Sequence, residues 1–422
     1  MKYENIFSKD SLTRVELAKA VSTLAKKHNN FLLDVPPRVG KSILAIELLK
    51  KWDFDKLLIL SGANSTNAQW IENIKKYNPQ LLSKVDVYCY QSLHKIPRDI
   101  YDVIFLDEFD IATTDNRLSN LYEFSPKHWI AMSGTLYPED IDMFRDLVQN
   151  KFFRVTVTFE QAVDWGILPQ PIIFKVALRM DNTNRYLLYH KGKNKNKKNN
   201  IVDYPDRWSA FKDKKRNAII KCTEKEYHEL ICAEFDRWKR FESEFDLPAH
   251  ERSNDVTFLQ SKGFTKSVCR DKKMRIGNER KQFFANIKNR HFKTLFNQLP
   301  DNSRVLVFCN DTKQADLLNK EFAVHSNNPG SLDLVERFNN KEIDKLFSIK
   351  MLERGVDFVD VDYLVILQSS MKQGGQIQKF ARSGLSLSPK TILFYYPGTQ
   401  DELYVEEFLK NFRPEWIIQK RL

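Results

Sequence analysis

Two short clusters of residues in this sequence could do chemistry together. The first is Gly40-Lys41-Ser42, inside "LLDVPPRVGKSILAIELLK". An apolar run precedes it and a helical pattern follows it. A strand, a tight turn and a helix starting at Lys41 would aim backbone N–H groups and the helix dipole at an anion. Lys41 would then reach terminal phosphates, and the Ser42 hydroxyl would ligate Mg²⁺. The usual phosphate loop opens on glycine, and Val35 stands at that place. The second cluster is Asp107-Glu108, which closes the apolar run "YDVIFLDEFD". A buried strand ending in two acids offers one carboxylate, Asp107, to a metal ion. It offers the other, Glu108, as a general base for an attacking water. Each cluster alone is common; together they predict a nucleotide site.

The elements that must hold these residues alternate along the chain. A helical stretch, "SLTRVELAKAVSTLAK", comes first. The apolar runs "NFLLDV", "LLILSG", "VDVYCY", "DVIFLDE", "HWIAMSG" and "FRVTVTF" follow, separated by helical segments. Such alternation predicts parallel sheets covered on both faces. The same grammar returns in "RVLVFCN", "DKLFSI", "DYLVILQ" and "KTILFYYP". The stretch between is different. From His190 to Ile220 ten Lys/Arg stand against three Asp/Glu, and "KGKNKNKKNN" reads as a solvated loop. Long helices studded with charge and aromatics follow it. The expected plan is an α/β block over 1–172, a helical basic insertion over 173–295, and a second α/β block over 296–422.

Composition narrows the function classes. The net charge of +12 favours a polyanionic partner, with nucleic acid the commonest. No apolar run approaches the roughly 20 residues that cross a bilayer. The first residues, "MKYENIFSKD", carry no signal-peptide segment. Five cysteines, an odd number without C-x-x-C spacing, fit free thiols in a reducing compartment. The expectation is a cytoplasmic protein, in the host cytoplasm if viral. Glycine is scarce, 13 of 422 residues against a typical share of about 7%. Gly40, Gly134 and Gly355 therefore mark places where backbone geometry demands it.

With both clusters placed, the sequence resembles the superfamily 2 helicases and translocases, of the DExD/H and phage-like DNA helicase kind. "PPRVGKS" resembles motif I, and "LILSGANSTNAQW" resembles motif Ia, with Gln69-Trp70 in its QW place. "YQSL" is similar to a DNA-tracking segment, "DEFD" to motif II, and Ser133-Gly134-Thr135 to motif III. "GILPQP" is similar to the link leaving the first domain, and "GNERKQFF" to a segment preceding the second. "VLVFCN" resembles motif IV, "SIKMLERGVDF" motif V, and "QIQKFARSGL" motif VI.

The resemblance implies two RecA-like parallel-sheet domains in tandem, with the helical insertion between them. It implies ATP and Mg²⁺ as ligands and coupling of hydrolysis to movement along, or unwinding of, DNA in replication, recombination or repair. Pro37, Arg38, Val39, Gly40, Lys41, Ser42, Asp107, Gly355 and Asp357 would contact nucleotide, with Ser42 and Asp107 on the metal. Glu108, Gln378 and Arg382 would be catalytic, Arg382 as the arginine finger. Ser133, Gly134 and Thr135 would couple the cleft to nucleic acid. Trp70, Gln91, Asn310 and Ser348 would touch the nucleic acid itself. The partner implied is DNA, single-stranded or branched, before RNA. Two departures stand out: Leu17 replaces the glutamine that reads adenine, while Arg14 is retained, and Leu385 replaces the second arginine of motif VI. The basic insertion, with Trp208, Tyr227, Phe235 and Trp238, is a candidate DNA grip, although helical spacing also fits those aromatics to a core. Alternatives are a duplex translocase that separates no strands and a nucleotide-regulated clamp with weak ATPase.

Overall fold

The computed structural model describes residues 11–62, 64–113, 115–134, 136–184, 186–190, 201–203, 207–212, 217–349, 358–368 and 385–422. The six apolar runs of the first block form strands β1 (Phe31–Asp34), β2 (Leu57–Ser61), β3 (Val85–Cys89), β4 (Val103–Asp107), β5 (His128–Ser133) and β6 (Phe153–Thr156). Their order in the sheet is β3-β2-β4-β5-β1-β6, with every pairing parallel. β2, β4 and β5 are buried along their whole length, as a sheet covered on both faces requires. Helices α1 (Arg14–Leu24), α2 (Lys41–Leu49), α3 (Asn64–Tyr77) and α4 (Phe109–Ala112) connect and cover them. α1 starts at a capping box in which Thr13 and Glu16 satisfy each other's backbone N–H groups.

Among the described residues the second sheet has seven strands. Three of the four apolar runs of the last block give β11 (Val305–Phe308), β13 (Lys345–Ser348) and β14 (Val361–Ile366), and the fourth forms the later part of β15 (Leu385–Tyr395). β12 (Ala323–Val324) adds an edge. β7 (Ile172–Ala177) and β16 (Ile417–Arg421), which the sequence pattern did not single out, complete the order β12-β13-β11-β14-β15-β7-β16. β7 thus leaves the first block and joins the sheet of the last one.

The chain divides into two compact units. One comprises Met1–Val176, Gln298–Tyr395 and Glu402–Lys420, and so holds both large sheets. The other comprises Ala177–Asn297 with the short segments Tyr396–Asp401 and Arg421–Leu422. This second unit carries a small sheet, β8 (Tyr186–His190), β10 (Asn217–Cys222) and β9 (Ile201–Asp203), and long helices Glu224–Glu244 and Lys266–Phe296. Its core is built from Trp208, Ile231, Trp238, Phe241, Val256 and Leu259, with Tyr227 and Phe235 packed against them. These aromatics therefore pack the unit's core, and Trp208 and Trp238, both buried, are not presented for stacking. Gly277 lets the two long helices approach, since a Cβ there would lie 3.3 Å from the Phe235 ring. Much of the helical positive charge is also engaged. Arg270 and Lys273 both reach Glu242, Lys266 reaches Asp246, and Arg207 reaches Glu234 and Glu279. The lysine run 191–199 lies outside the described residues. Among the described residues no helix is long and apolar enough to cross a membrane.

Candidate nucleotide site

Strand order explains why residues far apart in sequence meet. β1, β5, β4 and β2 are consecutive neighbours and all parallel, so their carboxyl ends lie side by side. Ligands of open α/β sheets bind at such ends. The loop after β1 carries Pro37 to Gly40, the end of β5 carries Ser133-Gly134, the end of β4 carries Asp107-Glu108, and β2 ends at Ser61-Gly62.

The loop from Val35 to Gly40 turns through two left-handed residues, Arg38 (φ 69°) and Gly40 (φ 112°), before α2 begins at Lys41. Gly40 supplies the conformation that L-residues avoid. Val35 is fully buried and donates its N–H to the Ser133 carbonyl (3.2 Å), so an apolar side chain suits that place. Lys41 and Ser42 sit half-buried on the first turn of α2, the end at which a helix directs backbone N–H groups outward. Arg38, expected at the nucleotide, is half-buried. Its guanidinium donates to the carbonyl of Phe358, just before β14 of the second sheet.

The acids are held closely. Asp107 and Glu108 are each only 8% exposed. Asp107 Oδ1 accepts the Glu108 N–H (3.0 Å), and Oδ2 accepts the indole N–H of Trp70 (2.8 Å). The Tyr90 hydroxyl donates to the Asp107 carbonyl (2.9 Å). Burial first, then the Asp107 charge, pushes the Tyr90 hydroxyl well above its ordinary range, so it stays a donor. Glu108 adopts a left-handed backbone conformation (φ 51°) directly after β4. Space for its carboxylate comes from Gly62, whose missing Cβ would lie 3.1 Å from Glu108 Oε2.

Motif III joins the two clusters. Ser133 Oγ donates to Asp110 Oδ1 (2.9 Å), the last acid of "DEFD". A Cβ on Gly134 would fall 2.7 Å from Pro37 Cδ and 3.3 Å from its nitrogen. Glycine at 134 thus sets the spacing between β5 and the phosphate loop. Gly134→Ala is expected to cost about 1–3 kcal/mol through overpacking. A nucleotide titration checks it: affinity should fall about tenfold or more. Binding equal to wild type would show that the loop absorbs the methyl.

A cavity of about 320 Å³ adjoins the loop, lined by Arg14, Arg38, Gly40, Ile43, Ile167, Leu168 and Pro169. Arg14 Nη2 donates to the Ile167 carbonyl (3.0 Å). Leu17, where the adenine-reading glutamine was expected, is fully buried.

Two expected nucleic-acid contacts are placed otherwise. Trp70 is 1% exposed, its ring tilted against Phe105, and its one polar atom is spent on Asp107. Ser348 is fully buried and its hydroxyl donates to the Ile349 carbonyl. Neither side chain is presented to a ligand strand. Gln91 is exposed after β3, and Asn310 is half-buried after β11. Thr135, Gly355, Asp357, Gln378 and Arg382 lie outside the described residues. Gly62, Tyr90 and Asp110 stand in the sequence only as members of longer motifs, with no role of their own. The scarcity of glycine was a usable signal for Gly62, directly at a strand end.

A profile described as Helicase conserved C-terminal domain matches residues 287–384. No curated protein matches the sequence. Solved structures do resemble it. The helicase domain of Pyrococcus furiosus Hef superposes with a TM-score of 0.52 at 14% identity, covering 92% of this chain and 97% of that one. S. cerevisiae Dbp5 bound to RNA and ADP BeF3 gives 0.55 at 10%, covering 99% and 90%. Mss116p bound to ssRNA and AMP-PNP gives 0.54 at 13%, covering 99% and 78%. The architecture of this chain is accordingly the tandem RecA-like fold of helicases, two parallel-sheet α/β domains carried by one chain.

Proposed function

We propose that this chain is an ATP-dependent nucleic-acid motor of the superfamily 2 kind, acting on DNA as a helicase or translocase. One observation carries the reading. The phosphate loop, the paired acids and the Ser-Gly of motif III meet at the carboxyl ends of β1, β4 and β5, joined through Ser133 to Asp110 and Gly134 to Pro37. In this reading the N–H groups of the loop and α2, with Lys41, bind the phosphates. Ser42 and Asp107 would hold a magnesium ion, whose charge would offset that of the phosphates. Glu108, kept beside Gly62, takes the proton of the attacking water. Arg38 ties the loop to the second sheet through Phe358, so the phosphate site and that sheet are in mechanical contact. The finger role of Arg382 and the coupling role of Thr135 are part of the same proposal.

Phosphate release should rise with nucleic acid. Rates without nucleic acid and with single-stranded DNA, duplex, forked DNA and RNA, beside Lys41→Ala, test this. No stimulation by any of them would sink the motor reading in favour of a clamp. Stimulation by RNA alone would reassign the partner. Unwinding of a fork, set beside displacement of a triplex strand, separates helicase from duplex translocase.

If the cavity beside the phosphate loop takes the base, a further expectation follows. Among its described lining residues only Arg14 and Arg38 carry polar side chains, and a guanidinium only donates. With Leu17 buried, no side-chain amide among the described lining residues is available to read adenine there. A pocket of this kind discriminates by shape, so GTP turnover should fall within about a hundredfold of ATP turnover. Comparison of kcat/KM for the two nucleotides checks it.

A further inference from the structure

We propose that Trp70 is a positioning residue for the metal-binding carboxylate, Asp107, and not a contact for nucleic acid. The proposal rests on the nucleotide-site reading above. Trp70 lies in the middle of α3, a helix that follows β2, whereas Asp107 ends β4. Those strands are direct neighbours, so α3 delivers the indole from outside the motif that holds the acids. The contact is short, 2.8 Å, and sealed from water, with Trp70 1% exposed and Asp107 8%.

The chemistry of the pair is specific. An indole N–H donates and never accepts, so it favours the ionised carboxylate and cannot itself ligate a cation. It occupies one lone-pair direction of Oδ2, while the Glu108 N–H occupies one of Oδ1. A carboxylate oxygen has two lone-pair directions, so accepting one donor does not by itself exclude a metal ion. Glu108 brings a second acid into the same buried corner, and donors aimed at Asp107 offset the repulsion between them. The ring itself is fixed by Phe105, two residues before Asp107 on the same strand (centroids 5.8 Å apart). Tyr90 adds a third hold through the Asp107 carbonyl. Partners that orient a metal ligand in this way are worth about 10–100-fold in metal affinity or activity.

Trp70→Phe keeps the ring against Phe105 and removes the N–H. In ATP hydrolysis with a magnesium titration, it should raise the concentration for half-maximal rate about tenfold or more. Its melting temperature reports whether the fold is kept. A folded variant with lower turnover but unchanged magnesium dependence would overturn the proposal, since a merely packing role moves only the former. A second measurement needs no Trp70 variant. The chain has seven tryptophans, giving seven indole N–H signals in a ¹⁵N spectrum. One signal should be displaced by Asp107→Asn, and that same signal should move when Mg²⁺ and ADP are added to the unaltered chain. If no signal responds to both, the assignment fails. Wild-type protein that hydrolyses no ATP would instead sink the nucleotide-hydrolysis reading itself.

Discussion

Glu108→Gln should lower ATP turnover by about 10²–10⁴, the range a general base supplies, while nucleotide binding stays near wild type. The substitution is close to isosteric, and this matters because the site is crowded. Glu108 sits in a left-handed backbone conformation, 8% exposed, with its carboxylate beside Gly62. An amide fits the same space and loses only the ability to take a proton. Lys41→Ala should behave differently, weakening nucleotide binding as well as turnover, because the proposed function makes Lys41, at the start of α2, a phosphate contact. Equilibrium binding of a fluorescent nucleotide beside single-turnover hydrolysis separates the two variants. Glu108→Gln with wild-type single-turnover rates would remove Glu108 from the chemistry.

The largest stability effect is expected at the other unit. Lys288 and Asp401 form an ion pair at 2.8 Å with both side chains fully buried. Asp401 also accepts the Tyr396 N–H (3.2 Å), so the pair anchors the segment Tyr396–Asp401 to the helix Lys266–Phe296. Burial pulls the Lys288 ammonium below the ordinary lysine range, and Asp401 pulls it back only in part. Asp401→Ala leaves that ammonium buried without its counter-charge and should cost about 3–5 kcal/mol. The double change Lys288→Met with Asp401→Leu should recover most of the loss, since an apolar pair carries no desolvated charge. Urea unfolding followed by tryptophan fluorescence measures both, the core of this unit containing Trp208 and Trp238. A single variant as stable as wild type would mean that water reaches Lys288.

What could be read in the sequence, and what could not, follows from the range of each signal. The six strands of the first sheet announce themselves because each is a short apolar run bounded by polar residues. Asp107-Glu108 and Gly40-Lys41-Ser42 stand out because they break such runs with residues that have chemistry to do. Strand order is a long-range property, and nothing local says that β1 lies between β5 and β6. For the same reason the fate of Trp70 was hidden. Its QW place in the resemblance to motif Ia suggested a nucleic-acid contact, and only the adjacency of β2 and β4 sends its indole to Asp107. In the insertion the helical spacing of Tyr227, Phe235 and Trp238 already fitted a core, and composition alone suggested a grip. Ser348 shows the opposite limit: a hydroxyl at a strand end is as readily folded back onto the next carbonyl as turned to a ligand.

The placement of β7 sets a timetable for the nascent chain. All six strands of the first sheet lie between Phe31 and Thr156, so that sheet can close as soon as its own residues have been synthesised. The second sheet cannot. β7 must wait, its neighbours β15 and β16 being separated from it by the whole insertion. Until they arrive it is an unpaired strand, the kind of edge that recruits other chains. The entropy of closing so long a loop grows only with the logarithm of its length, so the final sheet loses little in stability. The exposure is one of time. Conditions that slow synthesis through residues 178–384 should lengthen the interval in which β7 stands open and favour aggregation over assembly.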